Sequence, residues 1–163
     1  CLKFLKRQFL IDNQLFFVKG QIAEDIPWFI NVLDKSNKCM FINQYVYAYR
    51  QNVAGSITNS AGNRSFQSLL NIVETEIEKL TKRSLTEEAK NGIYSFLAYE
   101  LSILFTNSNI TDKDMERLKS LKWLLNYDLN PKVHRVKLMK NLIGLPLTIK
   151  LLKLYNKHRA SRN

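Results

Sequence analysis

The chain has 163 residues, 45 % apolar and 24 % charged, with 5 glycines and 3 prolines; it is long enough for a buried core, too apolar for wholesale disorder and too poor in turn residues for a loop-rich sandwich or barrel. Two cysteines, Cys1 and Cys39, stand without a CxxC or a Cys/His cluster, so neither a zinc site nor a disulfide framework is indicated and reduced, buried thiols are expected. The net charge of +11 is concentrated at one end: from Leu129 to Asn163 there are nine Lys or Arg and no acid, against sixteen bases and fourteen acids in the rest.

In chain order, CLKFLKRQFLIDNQ sets Leu2, Leu5, Phe9 and Leu10 among basic residues and predicts a short amphipathic helix. Leu15, Phe16, Phe17 and Val18 ahead of Gly20 predict an extended segment and a turn. Phe29, Ile30 and Leu33 then predict a helix from Pro27 to about Lys35. Because proline disfavours helical backbone at the residue before it, Ile26 is the expected N-cap and Asp25 falls one residue outside the cap. CMFINQYVYAYRQ puts Phe41, Tyr45, Tyr47 and Tyr49 on one parity and Ile42 and Val46 on the other, a strand signal.

Past the polar stretch QNVAGSITNSAGNRS the pattern becomes helical. Leu69, Val73, Ile77 and Leu80 predict a helix packed along one stripe, with Glu74, Glu76 and Glu78 mostly on other faces. Ser84, Thr86, Glu87 and Glu88 suit a helix start. The run GIYSFLAYELSILF that follows is apolar almost all round, and at ~14 residues it is too short to span a bilayer and reads as a buried central helix. Thr111 with Asp114 makes a capping-box start for a helix that presents Leu118, Leu121 and Leu125 and ends at Asn130-Pro131. The last segment interleaves bases with Val136, Met139, Ile143, Leu147, Leu151 and Leu154, and Gly144 and Pro146 bend it into two short amphipathic helices. The fold class is mainly α with one or two strands near the front.

Glu24 and Asp25 admit two readings from local sequence. They complement the dipole of the helix that follows, or Asp25, at the edge of a loop, stays ionised and takes a proton as a general base.

Over residues 4–58 a larger order is present: a basic helix ending FL, then LFF, then G-x-I-x-EDIPWF, then INQYVYAYRQNVAGSIT. This resembles the C-terminal half of the catalytic domain of the family-2 glycosyltransferases, bacterial enzymes of the GT-A type. The elements that match are Glu24-Asp25, Tyr47-Ala48-Tyr49-Arg50 and Gly55-Ser56-Ile57-Thr58, while the remainder is similar only in its helical, basic character. The resemblance implies a strand-containing remnant of a GT-A α/β catalytic domain over 1–60, a helical, bundle-like extension over 61–130 and a basic amphipathic tail over 131–163. It implies inverting transfer of a sugar from a nucleotide-diphosphate sugar to a glycan or lipid-linked acceptor, in the cytoplasm, for bacterial surface polysaccharide synthesis. With Cys1 in place of an initiator Met, the chain reads as a piece of a longer enzyme and is expected to be inactive by itself.

By the same resemblance Asp25 is the catalytic base, Glu24 and Trp28 shape the acceptor side, and Arg50 and Ser56 meet the donor diphosphate. For Arg50 the guanidinium fork matches phosphate oxygens, and a solvated structural arginine is the other reading; Trp28 reads more readily as a core aromatic at the helix start than as a face for a sugar ring. The family's Mg²⁺ or Mn²⁺ is expected in the complete enzyme, on an Asp-x-Asp upstream of this stretch. Asp112-Lys113-Asp114 matches that motif literally, but it opens a predicted helix in the wrong part of the order and reads as helix-start acids. No QxxRW follows the base, which points to a single-sugar transferase rather than a polymer synthase.

The bases of the tail alternate with an aliphatic stripe, and only Tyr155 is available there for stacking, so nucleic acid is not the expected partner. Residues 132–159 suit the surface of an anionic membrane, the inner face of the plasma membrane for a cytoplasmic enzyme, or a packed helix with a basic outer face. Composition and charge alone also permit a non-enzymatic helical interaction or nucleic-acid-binding module.

Overall fold

The structure, a computed structural model, describes residues 3–40, 42–48, 62–107 and 110–160. All regular structure among these residues is helical, and the chain divides into two compact units, Cys1–Ser68 and Leu69–Asn163.

In the first unit α1 (Arg7–Asp12) buries no residue and α2 (Asp25–Lys35) buries Ile26, Ile30 and Val32. Helix α2 begins two residues earlier than expected. Glu24, not Ile26, is its N-cap, with helical backbone at φ −61° and ψ −20°, and its carbonyl accepts the Trp28 N–H at 3.3 Å. Pro27 is tolerated because the first amides of a helix have no partner within it, so the missing N–H removes no hydrogen bond. Burial of Ile26 in line with Ile30 favours extending the helix back through it. Asp25 is therefore the first residue of α2 rather than a residue outside the cap.

The strand expected at 41–49 is not formed among the described residues, where 42–48 carry no ladder. Alternating side chains make a strand only where a second strand takes up the backbone N–H and C=O groups, and among the described residues there is no second strand to do so. Phe41 and Tyr49 lie outside the described residues. Cys39, expected to be buried, is an exposed free thiol.

The second unit continues α3 (Gly62–Thr81) and adds α4 (Glu87–Leu104), α5 (Asp112–Leu121), a 3-10 turn (Lys122–Asn126) and α6 (Pro131–Ala160). Helix α4 contacts the 3-10 turn and α6, and these two contact each other. Its start is fixed by Thr86, whose hydroxyl accepts the Ala89 N–H at 3.2 Å, and it buries Ile93, Leu97, Ala98, Leu101 and Leu104. At α5 the capping box forms in full: Asp114 N–H donates to the Thr111 hydroxyl at 3.2 Å, and Thr111 N–H donates back to the Asp114 carboxylate at 3.1 Å. Helix α5 does not run to Asn130. It tightens after Leu121 into the 3-10 turn, which buries Leu124 and Leu125. Trp123 and Tyr127 of this stretch meet Tyr94 with ring centroids 5.3 and 4.9 Å away.

Helix α6 is broken at Gly144, whose φ of 77° and ψ of 162° are open to glycine and strained for other residues. Pro146 follows in the first turn after the break, where its missing N–H costs nothing. The Thr148 hydroxyl, fully buried, donates to the Gly144 carbonyl at 2.8 Å and so satisfies itself at the bend. Among the described residues no helix is long and apolar enough to cross a membrane.

Candidate active site

The acid pair is positioned by the chain that precedes it. Leu15 is buried, and its carbonyl accepts the Trp28 indole N–H at 3.1 Å, which holds residues 15–17 against the first turn of α2. The ring of Phe17 stacks on Trp28 at 4.7 Å. Gly20, at φ 81°, turns the chain, and Gln21 N–H closes that turn on the Val18 carbonyl at 3.3 Å. The Ser68 hydroxyl donates to the Ile22 carbonyl at 2.7 Å, fixing the segment from the side of α3. Ala23 then takes a left-handed backbone, φ 60°. For a residue with a Cβ that conformation costs about 1–2 kcal/mol, which the flanking contacts must offset.

This scaffold leaves Glu24 half-buried at the N-cap and Asp25 exposed at the first helical position. Neither carboxylate has a hydrogen bond or ion pair among the described residues. The amino end of a helix attracts negative charge, and an exposed carboxylate on a fixed element can accept a proton from a hydroxyl brought to ~3 Å. Trp28 is half-buried, with its N–H taken by Leu15 and its ring on Phe17. Glu24, Asp25 and Trp28 are thus brought together on one helix start. Arg50 and Ser56, with Tyr49, Gly55 and Thr58, lie outside the described residues.

The described residues hold no group of three or more His, Cys, Asp or Glu suited to a metal ion. Asp112 and Asp114 stand in the first turn of α5, and Asp114 is buried with its carboxylate taken by the Thr111 N–H and, at 2.7 Å, by the Thr111 hydroxyl. They do not fit a divalent-cation site.

Two charged features of α3 go beyond the apolar stripe that its sequence shows. Glu76 lies on the buried face, in step with Leu69, Val73 and Leu80, and is 1 % exposed. Lys79 Nζ reaches its Oε1 at 2.6 Å. Helical spacing places position 76 on that stripe, whereas the expectation from its acidic side chain is another face. The Arg117 guanidinium grips Glu74 with two bonds of 2.9 and 2.6 Å and donates to Asn71 Oδ1 at 2.6 Å. The Glu74 hydrogen bond, chiefly, raises the Arg117 pKa, so the guanidinium that joins α5 to α3 keeps its charge.

No protein-family model, curated protein or solved structure matches the chain.

Proposed function

We propose that the chain is the acceptor-side part of an inverting glycosyltransferase and that Asp25 is its general base. The carrying observation is an exposed carboxylate, without a partner among the described residues, on a helix start that is pinned by Leu15, Phe17 and Ser68. The order of the Glu24-Asp25, Tyr-Arg and Gly-Ser-Ile-Thr elements supports the same reading. In the transfer, Asp25 takes the proton of an acceptor hydroxyl while that oxygen bonds to the anomeric carbon of the donor. The bond from that carbon to the diphosphate breaks on the opposite face, the nucleoside diphosphate leaves with the bonding pair, and the configuration inverts.

Aim matters more than basicity here, because a carboxylate held within hydrogen-bond reach of the hydroxyl assists in its ordinary ionised form. Glu24 and Trp28 border the acceptor, and Arg50 and Ser56 serve the diphosphate. The acceptor is a glycan or a lipid-linked glycan of bacterial surface polysaccharide synthesis, and the work is done in the cytoplasm. The described residues do not fit the divalent cation of such enzymes, and the donor side is expected from residues that accompany this stretch in the complete polypeptide.

The test is Asp25→Asn in the complete polypeptide, with release of nucleoside diphosphate from nucleotide sugars as the readout. Loss of the base is expected to lower kcat by about 10²–10⁴-fold with the helical circular dichroism unchanged. Near-normal turnover of the variant would remove Asp25 from the reaction.

A further inference from the structure

After its break at Gly144, α6 presents three separate stripes. Leu145, Thr148 and Ile149 are buried in the second unit. Leu147, Leu151, Leu154 and Tyr155 recur at the same helical spacing but face solvent, Leu154 at 55 % and Tyr155 at 67 % exposure. Lys150, Lys153 and Lys157 form the third stripe. At 3.6 residues per turn the three lie roughly 120° apart around the helix axis. The second stripe is continuous over two turns, whereas isolated exposed leucines would need no explanation. Just before the break Leu142 is 84 % exposed.

We propose that the segment from Leu145 to Ala160 lies on an anionic lipid surface, with Leu147, Leu151, Leu154 and Tyr155 in the acyl boundary and Lys150, Lys153 and Lys157 among the headgroups. Charge complementarity selects this occupant. No acid occurs between Leu129 and Asn163. A nucleic acid would answer the lysine stripe and leave the leucines in water, and an apolar helix of a partner would cover the leucines and leave the lysines unanswered. A bilayer with acidic headgroups answers both, because lysine stems lie along the apolar boundary while their ammonium groups reach the phosphates. The segment is roughly 24 Å long, and with lysines along one side it rests in the interface rather than spanning it. The docking stands on α6 alone, whether or not Asp25 is a base.

The experiment is co-sedimentation of the complete polypeptide with vesicles of phosphatidylcholine and with vesicles of equal parts phosphatidylcholine and phosphatidylglycerol. Binding is expected to the anionic vesicles and to weaken as salt is raised. The double variant Leu151→Ser/Leu154→Ser should weaken it by about tenfold or more. The triple variant Lys150→Gln/Lys153→Gln/Lys157→Gln should remove most of the preference for anionic lipid, at about fivefold per lysine before screening. All five side chains lie off the buried stripe, so thermal melts of the variants should match the parent. The proposal is overturned if anionic vesicles are not bound or if the leucine variant binds them unchanged. It is equally overturned if the lysines instead confer tight binding to duplex DNA or RNA, or if the leucines instead hold two copies together without vesicle binding.

Discussion

The two units solve the same problem with different means. In Leu69–Asn163 each helix completes its own backbone hydrogen bonds and offers a stripe such as Leu97, Ala98, Leu101 and Leu104 for burial. In Cys1–Ser68 the described apolar residues sit largely on short helices and irregular segments, and Phe16, Phe17, Val18, Ile42, Tyr45 and Tyr47 are left exposed. The contrast teaches that a helical pattern carries its own hydrogen-bond partners within a few residues. A strand-like pattern depends on a partner from elsewhere.

The largest effect should break the comparison outright. Leu101→Ala removes a fully buried side chain and is expected to cost about 3 kcal/mol in urea or thermal unfolding followed by circular dichroism. Tyr45→Ala, which removes more apolar bulk from an exposed site, should change the same transition by less than about 0.5 kcal/mol. A large effect of Tyr45→Ala would mean that residues 42–48 are held as firmly as the helical core.

A smaller effect sharpens the contrast through two left-handed positions. Gly144→Ala places a Cβ at φ 77° and ψ 162°, where neighbouring atoms leave room but the backbone does not, and should cost about 1–2 kcal/mol. Ala23→Gly in the first unit relieves a left-handed alanine at φ 60° and adds chain entropy to the unfolded state, so the two nearly cancel and a change of a few tenths of a kcal/mol is expected. Differential scanning calorimetry of the pair reads both signs.

The smallest effect concerns pH. Asp128 accepts from His134 Nδ1 at 2.7 Å and from Lys137 Nζ at 3.2 Å, both on the first turns of α6. The His134 hydrogen bond, then that of Lys137, holds the Asp128 carboxyl below its ordinary value of 3.8. A carboxylate whose folded value is depressed adds stability that is full above the unfolded value and is lost as pH falls through the folded one. The parent should therefore exceed Asp128→Asn in unfolding midpoint above pH 3.8, and the gap should close below it. With His134 exposed and Asp128 and Lys137 half-buried at the surface, the contact is expected to give only a small gap.

Caps and stripes were the legible part of the fold. Thr86 and the Thr111–Asp114 box mark their helix starts because one side chain and one amide three residues away suffice to make them. The break at Gly144 was legible for a similar reason, since glycine and proline act on their own backbone. The start of α2 differs from the expectation because burial of Ile26 overrides the local reluctance that Pro27 imposes. The early end of α5 carries no glycine or proline to announce it. Glu76 runs against its residue type, because its position on the stripe and the Lys79 ion pair outweigh the usual preference of an acid for solvent. Of the candidate site, sequence order brought out Glu24 and Asp25, whereas the Leu15, Phe17 and Ser68 contacts that hold them are non-local and leave no periodic trace.

Gly144 also separates two rotational phases. Along an unbroken helix each residue turns the next by about 100°, so a face buried at one end dictates the face shown at the other. With the ladder interrupted, 131–143 can bury Val133 and Val136 in one phase while 145–160 bury Leu145 and Ile149 in another. A residue inserted before Gly144 would disturb the first half and leave the second half's three stripes in register, whereas one inserted after Ile149 would rotate leucines and lysines away from their sides together.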